Sequence, residues 1–488
     1  MNAKEPGDLK PAIGLYSTTA IVIGAVIGSG IFVSPAGMAR SSSSGLALLG
    51  VWIVAGALTF IGALTQCELC SSMPRTGGLY IYLKEAFGES VGFFYGWANF
   101  MIAGSGAIAA ISFIFAGYFS EFFPLWRAPP ELQRWAITIP YLGRLFPLAD
   151  LGEKMVAGAI VIGLTWINTR GVRLGAGLQS ISTTCKVLAL LGIVGAAFFA
   201  TGGSSHHIWA SRAGTTTLTT WQFLGLAVTA LGGAFWSYDG WGNVTYVAGE
   251  VKRPERTVPL ALFLGTAIVI LIYLAVNWAY LYVFPVEELG KVSGDRVASA
   301  LMNQAFGPWG VWAVALIVLV STFDTTNSSI LTNPRVYFAM AKENLFPAMA
   351  GGVHPKYGTP HVALWFQCAW TLVLLFTSSF ELITSMYVWV NWLFYLLMAL
   401  AVFICRRRGY ARAFTIKGYP YVPAAFALFT CAYLVMTLLE DIHQFQIGES
   451  PMIKSLMGLT LVLLGSPVYL FMIYRRRFPE KAVASPTR

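Results

Sequence analysis

The sequence predicts an all-α protein that crosses a membrane many times. Of its 488 residues, 56% are hydrophobic and only 11% are charged, and the mean hydropathy is +0.66. Apolar runs of spanning length, about 20 residues each, recur along nearly the whole chain. Because lipid offers the backbone no hydrogen bonds, each run is expected to form a helix that satisfies its own peptide groups.

Twelve such runs form the predicted single transmembrane domain, taken as 1–488. They cover approximately 13 to 36, 45 to 70, 90 to 120, 155 to 172, 178 to 201, 221 to 249, 258 to 284, 308 to 340, 361 to 379, 382 to 405, 420 to 440 and 453 to 474. The short polar start "MNAKEPGDLKP" predicts no cleavable signal peptide. The longest segment between runs, about Glu121 to Glu153, is too short for a catalytic domain. Function is therefore expected among the helices.

The distribution of positive charge predicts the orientation. The formal net charge is +10, and the clusters Arg406 to Arg408 and Arg475 to Arg477 directly follow apolar runs. With a cytoplasmic N-terminus, most Lys and Arg residues fall on the cytoplasmic side, in keeping with the positive-inside rule. We therefore expect both termini in the cytoplasm, a cell (plasma or inner) membrane location, and contact with lipid rather than with nucleic acid.

Cofactor and metal chemistry is not indicated. All six cysteines fall in or at the ends of apolar runs, which argues against an external disulfide framework. The CxxC spacing at Cys67 and Cys70 has no second pair or nearby histidine, so packing is the favoured interpretation. No loop carries the phosphate-binding pattern GxxxxGK[ST]. His354 and His361 flank a loop without a neighbouring acid, which disfavours an enzyme.

Two apolar runs contain residues that interrupt a helix. The first, "IGAVIGSGIFVSP" (Ile23 to Pro35), carries Gly28-Ser29-Gly30, and glycine weakens regular helix. Close packing through Gly24 and Gly28 is the alternative interpretation. The sixth run carries "SYDGW" (Ser237 to Trp241), which places an acid and a glycine in the middle of a spanning segment.

The two interruptions occupy matching positions in two five-helix units. This pattern is typical of transporters built from inverted repeats, with the substrate bound at the breaks. The repeats are predicted at about 13–201 and 221–405, with two appended helices at about 420–474. Free amides at one half-helix can bind a carboxylate, and free carbonyls at another can bind an ammonium group. An α-amino acid carries both, although other small zwitterions satisfy the same requirement.

Four stretches in order also resemble a known family. They are "VIGSGIFVSP", "MPRTGGLYIYL", "FWSYDGWGNVTYVAGEVKRPERTVPLAL" and "NPRVYFAMAKENLFP". Together they resemble the L-type branch of the amino acid, polyamine and organocation transporter superfamily, in its prokaryotic form. The resemblance implies a leucine-transporter-type fold, with discontinuous helices 1 and 6. It also implies secondary active, sodium-independent exchange of neutral or cationic amino acids by alternating access.

The resemblance further implies which residues bind substrate. The substrate carboxylate is expected at Gly28, Ser29 and Gly30, and its amine at the carbonyls of Val26, Ile27, Trp236 and Ser237. Trp236 occupies the position of an aromatic gate over the bound side chain, with an ordinary buried aromatic as the alternative. Asp239 is a candidate contact for a cationic side chain, although relatives with the same "YDGW" include transporters of small neutral amino acids.

Lys186 and Asp324 are the candidate coupling residues. A lysine within a span costs about 3 kcal/mol on insertion scales, which indicates an interior partner. In sodium-independent relatives a lysine of the fifth helix fills the space of a sodium ion, and Lys186 matches it; snorkelling to the surface is the alternative. Asp324 departs from the small residue that the resemblance implies in helix 8. We expect it to pair with Lys186, or alternatively to meet a cationic substrate side chain.

The sequence also bears on a partner subunit and on the coupling mode. Animal relatives join a heavy subunit through a cysteine between helices 3 and 4, and Glu121 to Glu153 contains none, so no disulfide-linked heavy subunit is expected. The oligomeric state is left open. Proton-coupled symport of amino acids or polyamines, with Lys186 or Asp324 titrating, is the alternative within transport. A nutrient sensor that binds without transporting is the alternative outside it.

Overall fold

Helices make up nearly all of the structure. The computed structural model describes residues 11–135, 137–139, 143–145, 147–211, 220–377, 380–450 and 452–477. A two-stranded antiparallel sheet, β1 (Ile137–Ile139) with β2 (Gly143–Leu145), lies in the longest interhelical segment, and Thr138 pairs with Arg144.

Helices lie within each of the twelve predicted runs and also between them. They are α1 (Leu15–Val26), α2 (Gly30–Arg40), α3 (Gly45–Ser72), α4 (Leu79–Phe87), α5 (Glu89–Ala98), α6 (Gly104–Phe119), α7 (Pro130–Gln133), α8 (Leu151–Thr169), α9 (Val172–Ala196), α10 (His206–Trp209), α11 (Thr220–Tyr238), α12 (Pro254–Val283), α13 (Val286–Gly290), α14 (Val297–Phe306), α15 (Pro308–Thr332), α16 (Pro334–Lys342), α17 (His361–Thr377), α18 (Phe380–Arg407), α19 (Tyr421–Gln446), α20 (Lys454–Leu463) and α21 (Gly465–Arg477).

Several of these helices, alone or joined end to end, reach spanning length. Within the described ranges, nine helical stretches are long and apolar enough to cross a membrane, and α17 is a shorter apolar helix. The fourth and sixth predicted runs also form helices, α8 and α11, of 19 residues each. The chain is therefore a predominantly helical membrane protein with many spans.

Besides the break in the first run, other runs also depart from regular α-helix. A π-turn at Asn99–Ala103 joins α5 to α6, and α15 passes into α16 at Asn333. After α11 the sixth run continues as a 3₁₀ helix, Trp241–Glu250, and not as a second α-helix. Each departure frees backbone groups or re-aims side chains in the interior of the bundle.

The first run lies at the centre of the bundle. Every residue from Ala20 to Val26 is buried, and α1 packs against α9, α12 and α15. In the first spanning stretch, 83% of an apolar segment of 18 residues is buried. In the last stretch, Lys454–Arg476, the corresponding share is 17%. The break in the first run is thus surrounded by protein, and the last helices face lipid.

Candidate functional site

The breaks in the first and sixth runs touch each other. A Cβ atom added at Gly30 would lie 2.6 Å from the Cα atom of Ser237. Gly240 has φ +99°, and a Cβ there would lie 2.7 Å from the carbonyl oxygen of Ala25. Glycine at both positions therefore allows the two interrupted backbones to meet.

Replacing Gly30 by alanine is expected to lower transport by about tenfold or more. The new methyl group collides with backbone, which side-chain movement cannot relieve, and such overpacking costs about 1–3 kcal/mol. Gly50→Ala is the matched control, since no atom lies within 4 Å of a Cβ placed there. Initial uptake rates per folded transporter in liposomes measure the effect. Equal activity of both variants would show that the close approach is dispensable.

A small cavity of about 40 Å³ lies beside the two breaks. Its walls come from both breaks, from the helix that contains the π-turn, from α15 and α16, and from α18. The lining residues are Ala25, Val26, Gly28, Ser29, Gly30, Tyr95, Asn99, Ala103, Gly104, Ala107, Ile111, Trp236, Asp239, Gly240, Asn243, Tyr246, Thr325, Ser329, Asn333, Tyr387, Asn391 and Tyr395. The structure thus brings six of the eight residues predicted to bind substrate to one cavity.

Ile27 and Ser237 are the two that do not line it. The carbonyl of Ile27 accepts hydrogen bonds from Lys186 Nζ at 2.5 Å and from Thr325 Oγ1 at 2.8 Å, on the side facing α9 and α15. The Ser237 hydroxyl donates to the carbonyl of Gly233. The carbonyl of Ile27 therefore binds the buried lysine, and Ser237 forms the contact between the breaks.

Trp236 separates the small cavity from a larger one. The larger cavity measures about 460 Å³, and Trp236 lines both. Its ring contacts Tyr387 edge to face at a centroid distance of 5.1 Å. The other walls of the larger cavity include Arg40 at the end of α2 and Lys454 at the start of α20. Trp236 thus lies between the two cavities, on the side where α2 ends.

The carboxylate of Asp239 accepts three hydrogen bonds from protein donors. Oδ1 accepts from the amide of Gly240 at 2.7 Å and from the hydroxyl of Tyr395, and Oδ2 accepts from Asn391 Nδ2 at 2.8 Å. Asn391 and Tyr395 are one turn apart on α18. Asp239 therefore ties the sixth run to α18.

Lys186 and Asp324 form a fully buried ion pair. Lys186 Nζ lies 2.6 Å from Asp324 Oδ2, and both residues are 1% exposed. Lys186 Nζ also donates to the carbonyl of Gly24 at 3.0 Å. The expected pairing is present, and the snorkelling alternative for Lys186 is wrong because its ammonium group reaches neither surface.

A ring of oxygen atoms from the first run and from α15 surrounds that ammonium group. Besides Asp324, it consists of the carbonyls of Gly24, Ile27 and Ser321 and the hydroxyl of Thr325. We call these five oxygens, with Lys186, the lysine cluster. The cluster joins α1 to α9 and α15 directly behind the first break.

The cavity is closed on the side where the N-terminal residues lie, here called the N-terminal face. The amide of Ala12 donates to the carbonyl of Glu250 at 2.8 Å, and that of Lys252 donates to the carbonyl of Ile13 at 2.9 Å. Arg335 Nε binds Glu250 Oε1 at 2.9 Å, with both side chains at most 1% exposed. Sequence reasoning did not assign this pair, although Arg335 lies in an apolar run and could have been flagged by its insertion cost.

Comparison with known proteins decides the family. The sequence profile of the amino acid permease family matches residues 13–464. The chain belongs to the amino acid permease family. Family and relatives are transporters, so this permease is a multi-pass membrane transporter of amino acids and not an enzyme, and the motif resemblance is confirmed.

Three relatives show the range of similarity. The permease is 30% identical to the serine/threonine exchanger SteT of Bacillus subtilis, over 90% of this chain and 93% of the relative. It is 31% identical to the large neutral amino acids transporter small subunit 2 of Oryctolagus cuniculus, over 97% and 82%. It is 29% identical to the Asc-type amino acid transporter 1 of Mus musculus, over 98% and 84%. All three align along nearly the whole permease.

Proposed function

We propose that this permease exchanges amino acids across the cell membrane without sodium. The observation that carries the proposal is the lysine cluster. An ammonium group held by five oxygens occupies the space between α1, α9 and α15 in which a coupling cation could otherwise bind. The exchanger named among the relatives supports exchange as the transport mode.

The proposed architecture is the leucine-transporter type with twelve spans. Repeats at about 13–201 and 221–405 place the two breaks at equivalent positions, and helices at about 420–474 are appended. The contact between the breaks supports this assignment, because inverted repeats bring discontinuous helices together at mid-membrane. We place the N-terminal face in the cytoplasm, since the positive-inside rule favours that side for the basic clusters.

Substrate recognition is proposed at the first break. The amides that begin α2, at Ser29 and Gly30, have no partner within the helix and can bind a carboxylate. The carbonyl of Val26, at the end of α1, can receive the amine while Trp236 covers the bound molecule. Three further residues act beside the substrate. The carbonyl of Ile27 binds Lys186, Ser237 forms the contact between the breaks, and Asp239 binds α18.

Alternating access follows from the two cavities. The contacts between Glu250, Ala12 and Arg335 close the N-terminal face, and the larger cavity leads from Trp236 toward the opposite face. These contacts support assigning the structure to a state open toward the outside. Transport requires a second state in which the N-terminal contacts separate and the larger cavity closes.

The decisive experiment uses the purified chain in sodium-free liposomes. Uptake of labelled amino acids is expected only in vesicles loaded with unlabelled amino acid, because an obligatory exchanger returns to its starting state with substrate bound. Activity of the chain alone is also expected, since no disulfide-linked subunit is proposed. Uptake into empty vesicles driven by a proton gradient would instead establish proton-coupled symport. Binding without uptake in either arm would indicate a sensor.

A further inference from the structure

The guanidinium group of Arg335 is only partly bonded while the N-terminal face is closed. Its Nε atom binds Glu250 Oε1 at 2.9 Å, and the residue is 0% exposed. Among the described residues, Nη1 and Nη2 have no hydrogen-bond partner. A guanidinium group has five N–H donors in one plane, and four of them belong to these two nitrogens. One edge of a buried cation is therefore left without an acceptor.

The unbonded edge of Arg335 is suited to a carboxylate. Buried donors without an acceptor are costly, and the cost is larger for a charged group than for a neutral one. Native structures keep few such groups, so each of them calls for an explanation. Two parallel N–H groups of a guanidinium fork match the two oxygens of a carboxylate. Arg335 can therefore bind Glu250 through Nε and a second carboxylate through Nη1 and Nη2.

The ion pair of Arg335 and Glu250 lies between the small cavity and the N-terminal face. Tyr246 lines the cavity, and Glu250 ends the same 3₁₀ helix four residues later. Asn333 also lines the cavity, and Arg335 follows it by two residues at the start of α16. The carbonyl of Glu250 accepts the amide of Ala12 at the N-terminal face. Both segments thus lead from the cavity to the ion pair.

Tyrosine side chains separate the cavity from the ion pair. The hydroxyl groups of Tyr95 and Tyr246 bond to each other, and the hydroxyl of Tyr337 on α16 donates to the carbonyl of Asn99 at 3.2 Å. Tyr95, Tyr246 and Asn99 line the cavity. In the proposed transport cycle, an amino acid that leaves toward the N-terminal face parts these side chains and then passes the ion pair.

We propose that Arg335 forms a release site, which binds the carboxylate of the transported amino acid once the N-terminal face opens. This inference rests on the proposed transport function and adds a second binding site to the one at the first break. Separation of the backbone contacts of Ala12 and Ile13 gives the substrate access to the guanidinium group. Because every α-amino acid carries a carboxylate, the release site does not select between side chains.

Arg335→Lys tests the release site in sodium-free exchange. Lysine keeps a positive charge beside Glu250 but lacks the planar fork. The apparent KM is measured with vesicles of both orientations, so that labelled amino acid is offered to the N-terminal face or to the opposite face, and all vesicles are loaded with unlabelled amino acid. In Arg335→Lys, the KM at the N-terminal face should rise about tenfold, and the KM at the opposite face should change by less than about twofold.

A role of Arg335 in closure alone predicts the opposite direction. A weaker closed state favours the open one, which lowers the KM at the N-terminal face and raises the KM at the opposite face. Glu250→Gln keeps the guanidinium group and should change both values in these directions. Arg476→Lys is the matched control, because the pair of Arg476 with Glu89 is exposed, and both of its KM values should match the wild type. A lowered or unchanged KM at the N-terminal face in Arg335→Lys would overturn the inference.

Replacing chloride by sulfate separates the substrate from an inorganic anion. The wild-type KM at the N-terminal face should not change, since the proposed ligand is the carboxylate of the amino acid. A change of about tenfold or more would assign the free edge of Arg335 to chloride and would overturn the release site. Wild-type vesicles that exchange no amino acid at all would instead reject the transport proposal itself.

Discussion

Replacing Lys186 by alanine is expected to remove most sodium-free exchange and to make the residual exchange respond to sodium. The substitution leaves Asp324 buried without its partner, and loss of one member of a buried pair costs about 3–5 kcal/mol. It also vacates a position within 3.4 Å of the oxygens of Gly24, Ile27, Ser321, Thr325 and Asp324. Carbonyl oxygens of unwound helices are the groups that bind sodium in transporters of the leucine-transporter architecture proposed for this permease.

The measurement is exchange in liposomes with and without sodium at constant ionic strength. Activity without sodium should fall at least about tenfold in Lys186→Ala. Adding sodium should then raise the residual activity several-fold. The double variant Lys186→Ala, Asp324→Asn is the control, because it lacks the carboxylate and should not respond to sodium. Asp324→Asn alone should impair transport that depends on Lys186. An equal sodium response in the single and double variants would refute the carboxylate as a cation ligand.

The position of the site could be predicted from sequence because its signals are local. Gly28 and Gly30 within one apolar run, and Asp239-Gly240 within another, weaken helices wherever they occur. The cost of inserting Lys186 into a membrane is enough to predict that it has an interior partner. These features required no knowledge of neighbours, and the breaks and the Lys186 to Asp324 pair lie where they were expected.

The direction in which an individual side chain or carbonyl points depends on tertiary contacts and could not be predicted. Ile27 was expected to bind substrate, but its carbonyl turns toward Lys186 because α9 and α15 pack against that side of α1. The hydrogen bonds that Asp239 accepts from Asn391 and Tyr395, some 150 residues later in sequence, likewise could not be predicted.

The 3₁₀ conformation after Tyr238 was also missed. The sequence from Trp241 to Glu250 is apolar enough for an α-helix, but its backbone follows Gly240 at positive φ and lies against the first run. It ends at Glu250, which pairs with Arg335. Two of the stretches that carried the family resemblance therefore meet at the closed N-terminal face, which gives their joint occurrence a physical reason.

Replacing Glu250 by glutamine is expected to open that face. Arg335 would lose its carboxylate partner while remaining buried, at a cost of about 3–5 kcal/mol. This cost destabilises only the closed state, because water can reach the guanidinium group of Arg335 when the face is open. About 1.4 kcal/mol corresponds to tenfold in an equilibrium constant, so the balance between the two states should shift by about a hundredfold or more.

Distance measurements between spin labels at Lys252 and Lys342 report this opening. Both positions are exposed at the N-terminal face, and the exposed cysteines Cys185 and Cys431 are replaced first. Glu250→Gln should shift the distribution to longer distances and slow exchange at least about tenfold, because return to the closed state becomes unfavourable. Glu89→Gln is the matched control, since its pair with Arg476 is exposed, with side-chain exposures of 38% and 52%, and such pairs contribute at most about 1 kcal/mol. A distance distribution in Glu250→Gln that matches the wild type would show that the backbone contacts of Ala12 and Ile13 close this face without the buried ion pair.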